Sequence, residues 1–252
     1  MTSKPTDYIA SLAKGLRVIE CFGSDATRLS ITDVANQTGL DRSSARRCLL
    51  TLQTEGYADY DGKYFNLTPR ALRLGLGALN AMPLPAIVQP WLDQLTEHIG
   101  ESCSVSILDG TEIIYIARAA QKRVMSIGLM PGSRLPAHCT SMGRVLLAAL
   151  PEPQARTIVT SSDLTPRTPK SLVDPDEIMV EIAKVREQGY SINDQEIESG
   201  LRSLAVPVQD MRGRTVAALN TGMAATHHEI SGMIETFLPA LTKVQGGLRR
   251  VL

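Results

Sequence analysis

The chain has 252 residues, with 26 Lys and Arg against 26 Asp and Glu, 43 % hydrophobic residues and 21 % charged residues. At about 150 residues per domain the length predicts one or two domains, and the composition excludes a disordered tail protein. Zero net charge excludes a bulk polycation, so any nucleic-acid surface must be a local patch.

The longest apolar run, Val145–Leu150, falls far short of the ~20 residues that a membrane span needs. Met1–Lys14 is too polar for a secretory signal, so a cytoplasmic address and no membrane partner are expected. Cys21, Cys48, Cys103 and Cys139 contain no C-x-x-C pair and read as reduced, buried thiols. No cofactor and no metal are expected.

In chain order, Ile9, Leu12, Leu16, Ile19 and Phe22 mark the apolar face of a first helix. Ser30, three residues before Asp33, predicts a capping box, and Val34 and Ala35 form the buried side of a second short helix. Gly39 stops it, because a positive φ is cheap only for glycine. Asp41 then caps a third helix over about 42–55, with Ala45, Cys48, Leu49 and Leu52 facing inward.

Ser43 and Arg47 point outward on that helix, flanked by Ser44 and Arg46. Arginine reads guanine edges or clamps phosphates, and short hydroxyls let the backbone approach, so this helix suits the major groove. Leu50 also falls on the outward face, against the pattern. Beyond it, Asp61-Gly62 between the β-prone runs Tyr57–Tyr60 and Lys63–Leu67 predicts a hairpin with a type I′ turn. A hairpin after a helix-turn-helix is a wing, and Lys63 at its tip would approach phosphates. The competing reading is an ordinary protein-binding module, in which Arg46 and Arg47 are only a solvated face.

Thr68-Pro69 opens another helix, lined by Leu72, Leu76 and Leu79, that ends at Met82-Pro83-Leu84-Pro85. The domains are therefore read as 1–68, a winged helix-turn-helix, 69–84, a linker helix, and 85–252, a larger α/β unit. In the last, Ile87, Trp91, Leu95 and Ile99 line a helix ended by Gly100. Period-two patterns predict strands near 103–107, 113–118, 124–130, 190–193, 204–208 and 216–221. Helices are expected at 140–150, at 175–187 with Asp174 as cap, and from 228 to about 249.

The run from Pro131 to Gly143 reads as a loop entering a helix. A helix amino terminus with Thr140 and Ser141 suits a carboxylate, although a plain N-cap explains the same residues. His138-Cys139 invites a nucleophile or metal reading, but no ligand-spaced partner is visible. Glu196 and Glu198 could do acid–base work and more simply decorate a solvated loop.

Three stretches carry a resemblance: the helix from Leu12 to Ile19, the segment Leu135-Pro136-Ala137-His138-Cys139-Thr140-Ser141-Met142-Gly143, and the run Gly200-Leu201-Arg202-Ser203-Leu204-Ala205-Val206-Pro207. With the helix at 41–55 they resemble the IclR family of bacterial transcriptional regulators, most of all the branch that controls protocatechuate, p-hydroxybenzoate and β-ketoadipate catabolism. The resemblance spans nearly the whole chain. It implies an α+β protein: an amino-terminal winged helix-turn-helix, a linker helix and a GAF-like effector domain with a six-stranded antiparallel sheet flanked by helices. It also implies dimers formed through the DNA-binding half, and often tetramers. The family pocket would fall on Val124, Ile127, Leu135, Ser141, Met142, Asn193, Asp194, Leu201, Ser203, Asn220 and Gly222.

The expectation is an effector-responsive regulator, not an enzyme, that binds a pseudo-palindromic double-stranded operator as a dimer. Ser43, Ser44, Arg46 and Arg47 would contact the groove, with Arg42 and Lys63 on phosphates, and the two recognition helices would lie about 34 Å apart. The effector would be a small organic acid, aromatic or β-keto. Its carboxylate would sit at the amino end of the 140–150 helix, and its body on Ile127, Leu135 and Met142. The alternatives are an enzyme of aromatic acids using His138 or Cys139, and a metal-responsive protein using the same pair.

Overall fold

A computed structural model describes residues 7–23, 27–74, 83–121 and 128–252. The chain divides into two compact units, 1–82 and 83–252.

In the first unit three helices, α1 (Ala10–Glu20), α2 (Ile31–Thr38) and α3 (Arg42–Thr54), precede two short strands, β1 (Ala58–Tyr60) and β2 (Phe65–Leu67). Val18, Val34, Ala45, Leu49 and Phe65 fill the core between them. The local chemistry explains each start and stop. The Ser30 hydroxyl accepts the Asp33 amide at 3.3 Å while Asp33 accepts the Ser30 amide at 2.8 Å, closing the capping box. Gly39, at φ 66°, ends α2 in the left-handed region, and Asp41 accepts the Ser44 amide at 2.8 Å to start α3.

Two local expectations change. Only the second half of the α1 stripe faces the core: Ile9, Leu12 and Leu16 are 63 %, 60 % and 50 % exposed, whereas Ile19 and Phe22 pack against the core beside the fully buried Val18. The hairpin does not use a type I′ turn, because Gly62 has a positive φ and Asp61 does not. Instead the Asp61 carboxylate accepts the amides of Lys63 and Tyr64, at 2.9 and 2.8 Å, and closes a four-residue loop between Tyr60 and Phe65. Leu29 pairs with Phe65 as a further bridge of the wing. Leu50 is half-buried against the same core, which resolves its place on the helix.

Thr68 caps a single 3₁₀ turn at Pro69–Ala71, and residues 72–74 continue as helix. Leu76 and Leu79 of the expected linker helix lie outside the described residues.

The second unit opens with α4 (Leu84–Ile99), which contains Pro90 and is closed by Gly100. β3 (Ser102–Asp109), β4 (Glu112–Ala119) and β5 (Arg134–Pro136) follow, then α5 (Ser141–Ala148), α6 (Glu152–Ser161) and α7 (Pro175–Gln188). β6 (Ser191–Asp194), β7 (Leu201–Gln209), β8 (Thr215–Ala224) and α8 (Ile230–Leu248) complete it. The strands form one antiparallel sheet in the order β5-β4-β3-β8-β7-β6. Leu92, Met233, Phe237 and Leu241 of α4 and α8 pack on one face, against Cys103, Val105, Leu204 and Leu219. Val145, Leu147, Ile178 and Ile182 of α5 and α7 pack on the other, over Ala205 and Ala218.

The strand expected at 124–130 is not found where it can be seen: 124–127 lie outside the described residues and 128–130 carry no strand. The edge strand is β5, inside the stretch read as a loop. A turn at Pro131-Gly132, with Gly132 at φ 93°, brings it back beside β4. Helix α6 was not expected, because Ala155 and Val159 are its only fully buried residues and leave a weak periodic signal.

α5 lies tightly on the preceding loop. A Cβ at Gly143 would stand 2.1 Å from the Ala137 carbonyl oxygen and 2.4 Å from its Cα. Gly143→Ala is therefore expected to lose about 3 kcal/mol or more of stability by overpacking against backbone; denaturant unfolding that shows a loss below about 1 kcal/mol would contradict this contact.

Candidate functional site

Two surfaces carry the chemistry, one in each unit. On α3, Arg42, Ser43, Arg46 and Arg47 are exposed and Ser44 is half-buried. The capping aspartate organises this end of the helix: the Ser43 hydroxyl donates to Asp41 at 2.7 Å beside the Ser44 amide. Those two donors hold the Asp41 carboxyl well below the usual range. None of Arg42, Arg46 and Arg47 pairs with a carboxylate among the described residues, so all three charges are available to an anion. Lys63 is exposed on the wing, with its ammonium 4.9 Å from the centre of the Tyr64 ring.

Arg28 shares that ring, 5.2 Å away, and is ion-paired with Asp61. Sequence reasoning missed it, because it precedes Leu29 in a stretch without periodicity. The fold places it on the wing through the Leu29–Phe65 bridge.

In the second unit a cavity opens between the sheet and the amino end of α5. Of the residues expected there, Leu135, Ser141, Met142, Asn193, Leu201, Ser203, Asn220 and Gly222 line it. Val124 and Ile127 lie outside the described residues. Asp194 does not line it. Its carboxylate is engaged by Lys170 Nζ and Arg202 Nε, each at 2.5 Å. Burial pushes its pKa up, but these donors outweigh burial and hold the group well below the carboxylate range.

Tyr115, Arg118, Leu129, Thr140 and Ile197 complete the wall. Of these, only Thr140 was singled out from the sequence, with Ser141 at the helix amino terminus. Arg118 and Tyr115 lie in an alternating strand whose inward face cannot be told from its outward one until the sheet is paired. A bulge between Val105 and Ser106 shifts the register and brings Tyr115 opposite Ser106.

The polar groups of the cavity are coupled. The Ser141 and Ser203 hydroxyls share a hydrogen bond of 2.7 Å, tying α5 to β7. Asn193 donates to the Cys139 carbonyl at 2.6 Å, and the Ser106 hydroxyl donates to Met142 Sδ at 3.2 Å. Arg118 Nη1 donates to Ser104 Oγ at 3.0 Å.

Behind the cavity wall lies a buried bidentate ion pair. Arg144 Nη1 and Nη2 donate to the two Glu196 oxygens at 2.6 and 2.7 Å, and Arg144 Nε donates to the His138 carbonyl at 2.9 Å. The Leu172 amide, at 3.3 Å, also reaches Glu196. Glu196 is thus a structural partner of α5, neither a solvated loop residue nor a general base.

His138 and Cys139 do not make a reactive pair. Burial and the Arg144 and Arg167 charges press the imidazole down to about 4, and burial lifts the thiol to about 11. At neutral pH both are uncharged, and a neutral thiol is a poor nucleophile. Among the described residues, no group of three His, Cys, Asp or Glu side chains is placed to hold a metal.

A winged helix carrying a basic outer helix, together with a second unit enclosing a polar-lined cavity, defines a ligand-responsive DNA-binding regulator. Residues 11–62 match the IclR helix-turn-helix domain, and residues 76–244 match the bacterial transcriptional regulator IclR C-terminal domain. The chain is 42 % identical over 236 residues to the Pca regulon regulatory protein of Pseudomonas putida, covering 93 % of this chain and 81 % of that one. It is 37 % identical over 251 residues to the p-hydroxybenzoate hydroxylase transcriptional activator of Acinetobacter baylyi, covering 98 % and 93 %. A solved inducer-binding domain of the PobR transcription factor from Acinetobacter, a double mutant in complex with 3-hydroxybenzoic acid, is 30 % identical. It matches 67 % of this chain and 98 % of its own with a TM-score of 0.63. The chain belongs to the IclR family of transcriptional regulators, which are DNA-binding proteins rather than enzymes.

Removing one member of the buried pair strands the other charge. Arg144→Met and Glu196→Met are each expected to cost about 3–5 kcal/mol, while the double change Arg144→Met with Glu196→Met recovers much of the loss. Urea unfolding of the three variants as a double-mutant cycle checks this, and additive losses would show that the two side chains do not act on each other.

Proposed function

We propose that the chain regulates genes of aromatic-acid breakdown in the cytoplasm by binding a pseudo-palindromic operator as a dimer and sensing a hydroxybenzoate-type acid. The cavity at the amino end of α5 carries the sensing half of this reading. It joins apolar walls (Leu135, Met142, Leu201) to hydroxyl, amide and guanidinium groups, as an aromatic acid requires. Support comes from the relatives: the P. putida protein is named for the Pca regulon, an Acinetobacter relative for p-hydroxybenzoate hydroxylase, and the PobR domain holds 3-hydroxybenzoic acid.

The cavity encloses about 30 Å³, room for roughly one water. A ring needs more room than this, so residues of the wall such as Met142 must shift to admit one. Binding then favours one arrangement of α5 over another, the condition under which a ligand shifts an equilibrium.

On the DNA half, Arg46, Arg47, Ser43 and Ser44 meet the major groove, and Arg42, Lys63 and Arg28 meet phosphates. Dimerisation uses α1, where Ile9, Leu12 and Leu16 form an apolar stripe at helical spacing on the surface. A second copy of the same stripe is its occupant, because a two-fold interface pairs one patch with itself and a palindromic operator needs that symmetry. Tetramers formed through further contacts fit the same reading.

Two measurements test it. Arg46→Ala with Arg47→Ala should abolish specific operator binding without changing the circular dichroism of the protein. In the wild type, a dimer making ~6–10 phosphate contacts should lose about 10³–10⁵ in affinity between 50 and 200 mM salt; operator affinity indifferent to both changes would remove α3 as the recognition helix. Leu12→Asp with Leu16→Asp should yield monomers by light scattering and weaken operator binding, and a variant that stays dimeric would remove α1 as the interface.

A further inference from the structure

We propose that Arg118 holds the carboxylate of the effector, with the Ser141–Ser203 hydroxyl pair at the far end of the cavity receiving a ring hydroxyl, so that the pocket selects a hydroxylated monoaromatic acid in one orientation. The inference rests on the sensing function proposed above and adds to it the residue that sets polarity.

The sheet register arranges these groups. Arg118 on β4 stands opposite Ser104 on β3, which stands opposite Asn220 on β8, which stands opposite Ala205 on β7. One row further on, Gly222 of β8 faces Ser203 of β7. Charge therefore enters the cavity from the β4 side and hydroxyls from the β7 side. The two backbones lie three strand spacings apart, about 14 Å. The long arginine side chain reaches across part of that span; Met142, which meets Ser106 of β3, and Leu201 of β7 line the cavity there, while Leu135 on the edge strand β5 closes it beyond β4.

Arg118 is the only cation lining the cavity among the described residues, and no carboxylate there pairs with it. Its protein partner is a neutral hydroxyl, Ser104, at 3.0 Å. Burial lowers its pKa, and the groups that offset this are the weak acids Tyr115 and Cys103, with no carboxylate among them. Among the described residues this partly desolvated guanidinium has one neutral acceptor, which leaves donors for a ligand, and its planar fork matches a carboxylate two bonds at a time.

The amino end of α5 is the weaker anchor. Its Gly143 amide already donates to Thr140 Oγ1 at 3.1 Å, and the Ser141 hydroxyl is tied to Ser203. A helix terminus offers about half a charge, against the whole charge of an arginine. Those hydroxyls suit a phenol, which can both donate and accept.

Calorimetric titration of the full chain with 4-hydroxybenzoate, its neutral amide 4-hydroxybenzamide, and benzoate tests the assignment. The wild type should prefer the acid to the amide by about 30-fold or more, the scale of a desolvated charge pair losing one partner. Arg118→Met should erase that preference and Arg118→Lys should keep part of it. Ser203→Ala should keep the acid preference but lose the preference for 4-hydroxybenzoate over benzoate.

Acid binding by Arg118→Met within ~3-fold of the wild type would overturn the assignment and leave the sensing function standing. Should Arg118→Met fail to fold, equal wild-type affinity for acid and amide overturns it as well. A wild type that binds neither acid removes the sensing function and this inference together.

Discussion

The effector-domain site depends on one buried interaction, the fork-to-fork pair between Arg144 and Glu196. It joins α5, the 136–140 loop through the His138 carbonyl, and the segment after β6. Such a pair contributes little net stability, since desolvating both ions offsets much of their attraction. Its geometric demand is strict, however, and that fixes where the amino end of α5 meets the sheet. The Ser141–Ser203 and Asn193–Cys139 hydrogen bonds follow from that placement, and Met142 is set facing Ser106.

Arginine has two distinct uses in this unit. Arg144 and Arg202 are each held by a carboxylate and by backbone carbonyls, and hold elements together. Among the described residues, Arg118 meets a single neutral hydroxyl in a cavity. The contrast separates a structural cation from one that awaits an anion, and residue type alone would not have separated them. On α3 the same logic applies at the surface, where Asp41 spends its carboxylate on the helix cap and leaves the neighbouring arginines unneutralised.

Much of the fold was legible because its signals are local. Ser30 with Asp33, Gly39, Asp41, Asp174 and Gly189 each mark an element end by chemistry confined to a few residues, and each marks it in the structure. The mixture of helices and strands followed from changes in period and the wing from Asp61-Gly62 between β-prone runs, while the α+β plan was what the family resemblance implied. One failure came where the deciding contact is remote, since strand β5 depends on pairing with β4. The turn at Asp61 failed for a local reason: its carboxylate caps the amides two and three residues on, an alternative to the type I′ turn that the Asp-Gly pair does not distinguish. The first half of the α1 stripe (Ile9, Leu12, Leu16) has the correct period and the opposite environment, while Ile19 and Phe22 meet the core, since periodicity reveals an apolar face without saying what covers it.

The cavity was legible in outline through the family resemblance, which gave most of the wall but neither Arg118 nor the true partners of Asp194 and Glu196. Those depend on register and on ion pairs spanning up to 52 residues of sequence, as in the Arg144–Glu196 pair. No local pattern encodes such distances.

The close passage of Gly143 over Ala137 bears on how this sensor can diversify. Position 143 admits no side chain, so the backbone beneath it is pinned. The adjacent Met142 projects from that pinned backbone into the chamber. Exchanges at 142 can thus resize the chamber without disturbing its frame. A lineage of such proteins could acquire a taste for new molecules one side chain at a time, pivoting on a neighbour that is not free to change.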